Sequence, residues 1–159
     1  PKAGYFTRGT GHNEKAEYSE RARDWKANMD RLSVKFQTAQ KMVPAPVFDG
    51  TGTAPIGIIA YGSSDLAVQE AREILRDQYG IETDYLRIRA LPINGQVRDF
   101  LAGYKTIYVV DQNRDAQMAQ ILRGEYPQVA GHVRSIRHYD GLPIDALSVV
   151  NRMLEQEQD

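Results

Sequence analysis

The sequence predicts an α/β fold, a three-layer sandwich with a mostly parallel sheet. Two strand-turn-helix units carry the prediction. Gly57–Asp65 (GIIAYGSSD) runs into a helical stretch from Leu66 to Tyr79, and Ile107–Arg114 (IYVVDQNR) runs into one from Asp115 to Leu122. In each, an apolar run too brief for a helix stops at polar turn residues, and apolar positions then recur three and four apart. Strand followed by helix, repeated, buries a parallel sheet between helices.

The elements follow in chain order. Pro1 to Glu17 is polar, with Gly4, Gly9 and Gly11 and no sustained periodicity, and reads as an exposed linker or a loop that packs on another body. From Ser19, the residues Trp25, Met29, Leu32, Phe36, Ala39 and Val43 recur at alternating steps of four and three, the seam of a long amphipathic helix. Ser19 is its expected N-cap and Pro44 its stop. The stripe is expected on the domain's own sheet, with a subunit-facing helix as the alternative. Val47 and Phe48, bracketed by Pro and Gly, suit a brief edge strand. Gly57 to Tyr61 is a strand, and the helix after it is expected to be capped by Ser64 or Asp65 and closed by Gly80. Thr83 to Ala90 is the next strand; Arg87 and Arg89 share its face opposite Leu86 and Ile88, pointing to solvent or an interface. A short helix from Gly95 to Ala102, a buried strand Thr106 to Val110, a helix Asp115 to Gly124, a weaker strand Val133 to Ile136 and a final helix Ile144 to Gln156 behind Pro143 complete the set. This divides the chain into a connector, 1–45, and an α/β domain, 46–159.

Composition narrows the function classes. The 159 residues include 42% apolar and 26% charged side chains, ordinary globular values for a single soluble domain. A net charge of -1 leaves no electrostatic footprint for nucleic acid or an anionic membrane. No apolar stretch approaches the roughly 20 residues of a membrane-spanning helix, and no basic-then-apolar signal opens the chain, so the cytoplasm is expected. The absence of Cys suits a reducing compartment and excludes thiolate ligation of a cluster by this chain. Because it opens at Pro1, without Met, in a Gly- and Thr-rich segment with no core, the chain reads as a piece of a longer subunit.

Open α/β folds bind ligands beyond the carboxyl ends of their strands. There stand Gly62–Asp65, Leu91–Asn94, Asp111–Arg114 and Tyr139–Gly141. Ser63 and Ser64 sit where a helix N-terminus presents backbone N–H groups to an anion, or else serve as an ordinary cap. Gln112, Asn113 and Arg114 are dense in hydrogen-bonding groups, and Arg114 suits a bidentate contact to carboxylate or phosphate; a polar contact to a neighbouring domain or subunit is favoured over direct catalysis. Arg8, Thr10 and His12 combine a cation, a hydroxyl and a titratable ring in one loop, as anion binding or proton transfer requires, although a plain linker accounts for them too. His132 and His138 have no third ligand nearby, and Asp111, Asp115 and Asp140 read as caps and turn residues, so no metal site is expected. Gly50–Gly52 fails as a dinucleotide motif, and Ser63 lacks the frame of a hydrolase nucleophile. No catalytic residue is assigned.

Four words, Tyr5–Glu14, Ala60–Ser64, Tyr85–Pro92 and Tyr108–Gln117, taken in order and spacing, resemble the carboxyl-terminal part of the alpha subunit of 2-oxoacid:ferredoxin oxidoreductases, the 2-oxoglutarate type most closely. That region of the family is in turn similar to the carboxyl-terminal domain of transketolase. Asp111 stands where the pattern has Glu, and Ala116 where it has Gly. The resemblance implies oxidative decarboxylation of a 2-oxoacid with coenzyme A to acyl-CoA, CO2 and reduced ferredoxin. Thiamine diphosphate, Mg2+ and an iron-sulfur cluster belong to the complete enzyme, none held by this chain alone. Its partners are then the beta subunit, with ferredoxin and coenzyme A at the level of the complex, and its own role is supportive packing, inactive in isolation. Two rivals stand beside this reading: an autonomous flavodoxin-like ligand-binding or regulatory module, and a domain of another thiamine enzyme such as a dehydrogenase E1 beta subunit. The long helix ahead of the first secure strand argues against the former.

Overall fold

The structure is a computed structural model that describes residues 9–157. Helix α1 (Ala22–Met42) is followed by β1 (Val47–Asp49), β2 (Ile56–Tyr61), α2 (Ser64–Tyr79), β3 (Thr83–Ile88), α3 (Gly95–Gly103), β4 (Thr106–Asp111), α4 (Gln117–Glu125), a 3-10 segment Pro127–His132, β5 (Val133–Arg137) and α5 (Ala146–Glu157). The chain forms two compact units, Pro1–Val43 and Pro44–Asp159.

In the first unit, α1 ends as expected: Val43 is extended and Pro44 follows it. Its start is later than Ser19. Arg21 is the N-cap, while the Ser19 hydroxyl donates to Asp24 (2.6 Å) and accepts from the Arg21 N–H (3.2 Å), so Ser19 braces the first turn from outside it. No residue of α1 is buried, and Trp25, Met29 and Phe36 are all exposed.

In the second unit, the strands lie in the order β1-β3-β2-β4-β5, parallel except for β1, which runs antiparallel to β3. The alternation of side chains across a strand sorts the core into two layers. Ile58 and Ala60 of β2, Tyr85 of β3 and Tyr108 and Val110 of β4 pack against α2 and α5. Ile59, Leu86, Ile107 and Val109 pack against α3, α4 and the 3-10 segment. Both faces of the sheet are therefore covered, which is why its central strands read as continuous apolar runs. Gly57 interrupts one such run because a Cβ there would stand 2.9 Å from the Phe100 ring and 3.1 Å from Tyr104. Gly80, at φ 66°, closes α2 as the spacing predicts, its N–H reaching Arg76 and that of Ile81 reaching Leu75.

The two outer strands are fitted with side-chain partners. The carbonyl of Asp49 in β1 accepts from Arg72 (3.1 Å), that of Val133 in β5 from Arg123 (2.7 Å), and that of Ser135 from Gln156 (3.3 Å). Among the described residues no helix is long and apolar enough to cross a membrane.

Candidate functional site

The carboxyl ends of β2, β3, β4 and β5 lie at one edge of the sheet, and the loops leaving β2, β4 and β5 are joined by a single side chain. Gln112, the first residue after β4, donates from Nε2 to Ser63 Oγ (3.0 Å) and Ser64 Oγ (3.1 Å), while its Oε1 accepts from the Ile144 N–H (3.2 Å). One amide thus spans the turn into α2, the exit of β4 and the approach to α5. Ser63, and not Ser64 or Asp65, is the N-cap of α2, and its side chain makes no cap bond because it turns to Gln112 instead.

Asp111 lies beneath this bridge, fully buried. Its carboxylate accepts from the Tyr61 hydroxyl (3.0 Å) and from the N–H groups of Met118 (3.2 Å) and Ala119 (3.4 Å). It therefore caps α4 from the preceding strand, six residues ahead of the helix start, and α4 begins at Gln117 after Ala116 in the left-handed region instead of at Asp115. Burial pushes the Asp111 carboxyl up, and its three donors do not cancel the effect. Burial, then the charge of Asp111, raise the Tyr61 hydroxyl to about 12.

Asp65 is occupied as well, accepting from the Tyr85 hydroxyl (2.9 Å) and pairing with Arg87 (2.9 Å). Arg87 is thus drawn onto α2 with its side chain still 42% exposed, and Arg89 is exposed beyond the end of β3 at Ile88. The signal was present in the alternation, which puts Tyr85 and Arg87 on the same face of β3 as α2.

Asn113 and Arg114 follow Gln112 but do not join its bridge. Asn113 bonds Gln117 (3.2 Å) and the Asp115 N–H (2.8 Å). Arg114 is exposed and doubly bonded to Asp115 (2.8 and 3.1 Å), and that guanidinium in turn holds the Asp115 carboxyl below its ordinary range. Of the other predicted residues, Arg8 lies outside the described residues. Thr10 and His12 belong to the first unit, where His12 Nδ1 stands 3.4 Å from the Thr10 carbonyl and the His12 carbonyl accepts from Asn28 (2.6 Å). His12 also lines a polar cavity of about 830 Å3 with Lys15, Arg21 and Arg31.

The arrangement at the sheet edge binds loops to one another. Ser63 and Ser64 meet an amide where a nucleophile needs a base, and both buried carboxylates are committed to caps and ion pairs. Among the described residues no three His, Asp or Glu side chains gather to hold a metal ion, and the sequence has no Cys. The donors that a diphosphate-bound Mg2+ or an iron-sulfur cluster requires are thus not assembled on the described residues.

No family model matches the chain. The alpha subunit of 2-oxoacid:ferredoxin oxidoreductase 2 from Aeropyrum pernix is 29% identical over 133 residues, covering 79% of this chain and 20% of that protein. The chain therefore spans about a fifth of the length of the curated relative it matches. The structure of 2-oxoglutarate:ferredoxin oxidoreductase from Magnetococcus marinus, with 2-oxoglutarate, coenzyme A and succinyl-CoA bound, shares the fold at a TM-score of 0.79, covering 98% of this chain and 27% of that one at 23% identity. The resemblance read from the sequence is thereby borne out: over most of its length the chain is homologous to the alpha subunit of 2-oxoacid:ferredoxin oxidoreductases.

Proposed function

We propose that this chain is the carboxyl-terminal, transketolase-like portion of the alpha subunit of a thiamine-diphosphate-dependent 2-oxoacid:ferredoxin oxidoreductase of the cytoplasm, with 2-oxoglutarate as substrate. The observation that carries the reading is the coincidence of a sequence match over 133 residues with a fold shared over 98% of the chain. Thiamine diphosphate would supply the carbanion-stabilising chemistry of the decarboxylation, and the described residues of this chain would support it by position. Its part is positional. The sheet edge is stiffened by Gln112, its serines and carboxylates are bound internally, and a rigid face of that kind packs against catalytic domains and joins subunits. A free-standing flavodoxin-like module and a dehydrogenase E1 beta subunit find no support in either comparison.

The test is acceptor-dye reduction by the full-length subunit co-expressed with its beta partner, offered 2-oxoglutarate, pyruvate or branched 2-oxoacids, each with and without coenzyme A. Reduction that requires both 2-oxoglutarate and coenzyme A is the expected result. Preference for pyruvate overturns the substrate alone, and inactivity with every 2-oxoacid overturns the enzyme reading.

A further inference from the structure

A cavity of about 370 Å3 opens within the Pro44–Asp159 unit between β1 and α3. Its volume is that of a small-molecule site. Phe48 of β1, Leu86 of β3, Phe100 of α3 and Tyr104 line it, and the exposed Gln96 and Asp99 stand at its rim. The three rings are mutually inclined. Phe48 meets Phe100 edge-on, with centroids 6.3 Å apart and planes at 63°, and Phe100 leans on Tyr104 at 4.6 Å and 42°.

The walls are fixed from behind. Gly57 lies so close to the Phe100 and Tyr104 rings that a Cβ there would stand about 3 Å from both. The Tyr104 hydroxyl is tied to Asp84, which also accepts the N–H groups of Thr51, Gly52 and Ala54, and so anchors the loop whose Gly52 completes the lining. A cavity formed before binding loses little conformational freedom when it is filled.

The same tie gives the cavity a sign. Asp84 is 1% exposed, and its hydrogen bonds hold the carboxyl below the ordinary range, so it is ionised at neutral pH. Every one of its partners is neutral, a hydroxyl and three N–H groups. A buried carboxylate with no counter-charge is costly, and this one stands one hydroxyl behind the cavity wall. The exposed Asp99 adds little, because Arg98 pairs with it at 2.9 Å, and no Lys, Arg or His is among the residues lining the cavity. Aromatic faces are negative as well and attract cations. Apolar walls, ring faces and an unmatched carboxylate agree on one class of ligand, a cation whose charge is wrapped in an apolar body.

We propose that the cavity between β1 and α3 binds a small organic cation, an alkyl- or aryl-substituted ammonium, against Phe48, Phe100 and Tyr104, with the Asp84 carboxylate as its counter-charge. The site is independent of the reaction assigned above.

The experiment titrates the 159-residue chain with benzyltrimethylammonium, following backbone amide chemical shifts, with benzyl alcohol as the neutral probe and phenylacetate as the anionic one. Saturable shifts centred on Phe48, Leu86, Phe100 and Tyr104 are expected, with a Kd below about 1 mM. Benzyl alcohol is expected to bind at least about fivefold more weakly, and phenylacetate more weakly still. Phe48 is 47% exposed, so Phe48→Ala is expected to weaken the cation at least about fivefold while the melting temperature holds. Asp84→Asn is expected to abolish the preference for the cation over benzyl alcohol; should that variant not fold, Phe48→Ala and the three probes still decide. No saturable binding overturns the proposal, as do shifts centred elsewhere or an unchanged Kd in Phe48→Ala. Equal affinity for the three probes overturns it too, since an apolar cleft without charge selection would then be all that is there.

Discussion

Asp84 and Asp111 are both buried carboxylates on the α3/α4 side of the sheet, yet the protein treats their charge in opposite ways. Burial pushes Asp84 up, but hydrogen bonds from the Tyr104 hydroxyl (2.8 Å) and the N–H groups of Ala54 (3.1 Å), Thr51 (2.7 Å) and Gly52 outweigh it and hold the carboxyl below its ordinary value. Its contribution to stability is therefore complete above the unfolded value of about 3.9 and is lost as pH falls through the lower folded one. Asp111 is raised, so the folded chain takes up that proton before the unfolded chain does, and acidification through its folded value relieves a standing penalty. Asp84→Asn is expected to lower stability at neutral pH by about 1–3 kcal/mol and to flatten the acid limb of the profile. Asp111→Asn should steepen that limb. Urea midpoints measured from neutral to acid pH decide the matter, and parallel profiles for the two variants would sink the argument.

At the scale of elements, the loops at the sheet edge behave as a unit because of Gln112. Gln112→Ala removes partners from two hydroxyls and one backbone N–H near the surface and is expected to cost about 1 kcal/mol. The loss should appear locally: faster amide exchange at Ile144 and in the first turns of α2 and α5, with β2 and β4 unchanged. Uniform acceleration through the sheet would contradict a role confined to the loops. Most strands and helices were legible in the sequence because their apolar period follows directly from burial on one face or two. Their ends were less so. Ser64 and Asp65 have the composition of caps, yet long-range partners, Gln112 and Tyr85, claim their side chains. The start of α4 was misread because its cap, Asp111, sits inside a strand. Asp145 was missed as the residue bonding Ser148 at the start of α5, where Pro143 had drawn the boundary two residues early. The 3-10 segment Pro127–His132 has no period to read at all.

For the whole molecule, family and fold were legible from ordered words spread along the chain, whereas the stripe on α1 was not interpretable from its period: an amphipathic seam says that something covers it, never what. The second unit has two complete core layers of its own. A polypeptide of residues 44–159 is therefore expected to fold alone and to melt cooperatively, at the same temperature as the main transition of the full chain, as followed by calorimetry. Loss of cooperativity on removing residues 1–43 would show that the first unit completes the core. The outer strands carry a further implication. The sheet ends in two outer strands, β1 and β5, and such borders are the positions from which proteins polymerise into fibrils. Here one carbonyl of β1 and two of β5 are occupied by Arg72, Arg123 and Gln156, and β1 offers only three residues between prolines and a glycine turn. Both borders are thereby poorer templates for self-propagating growth.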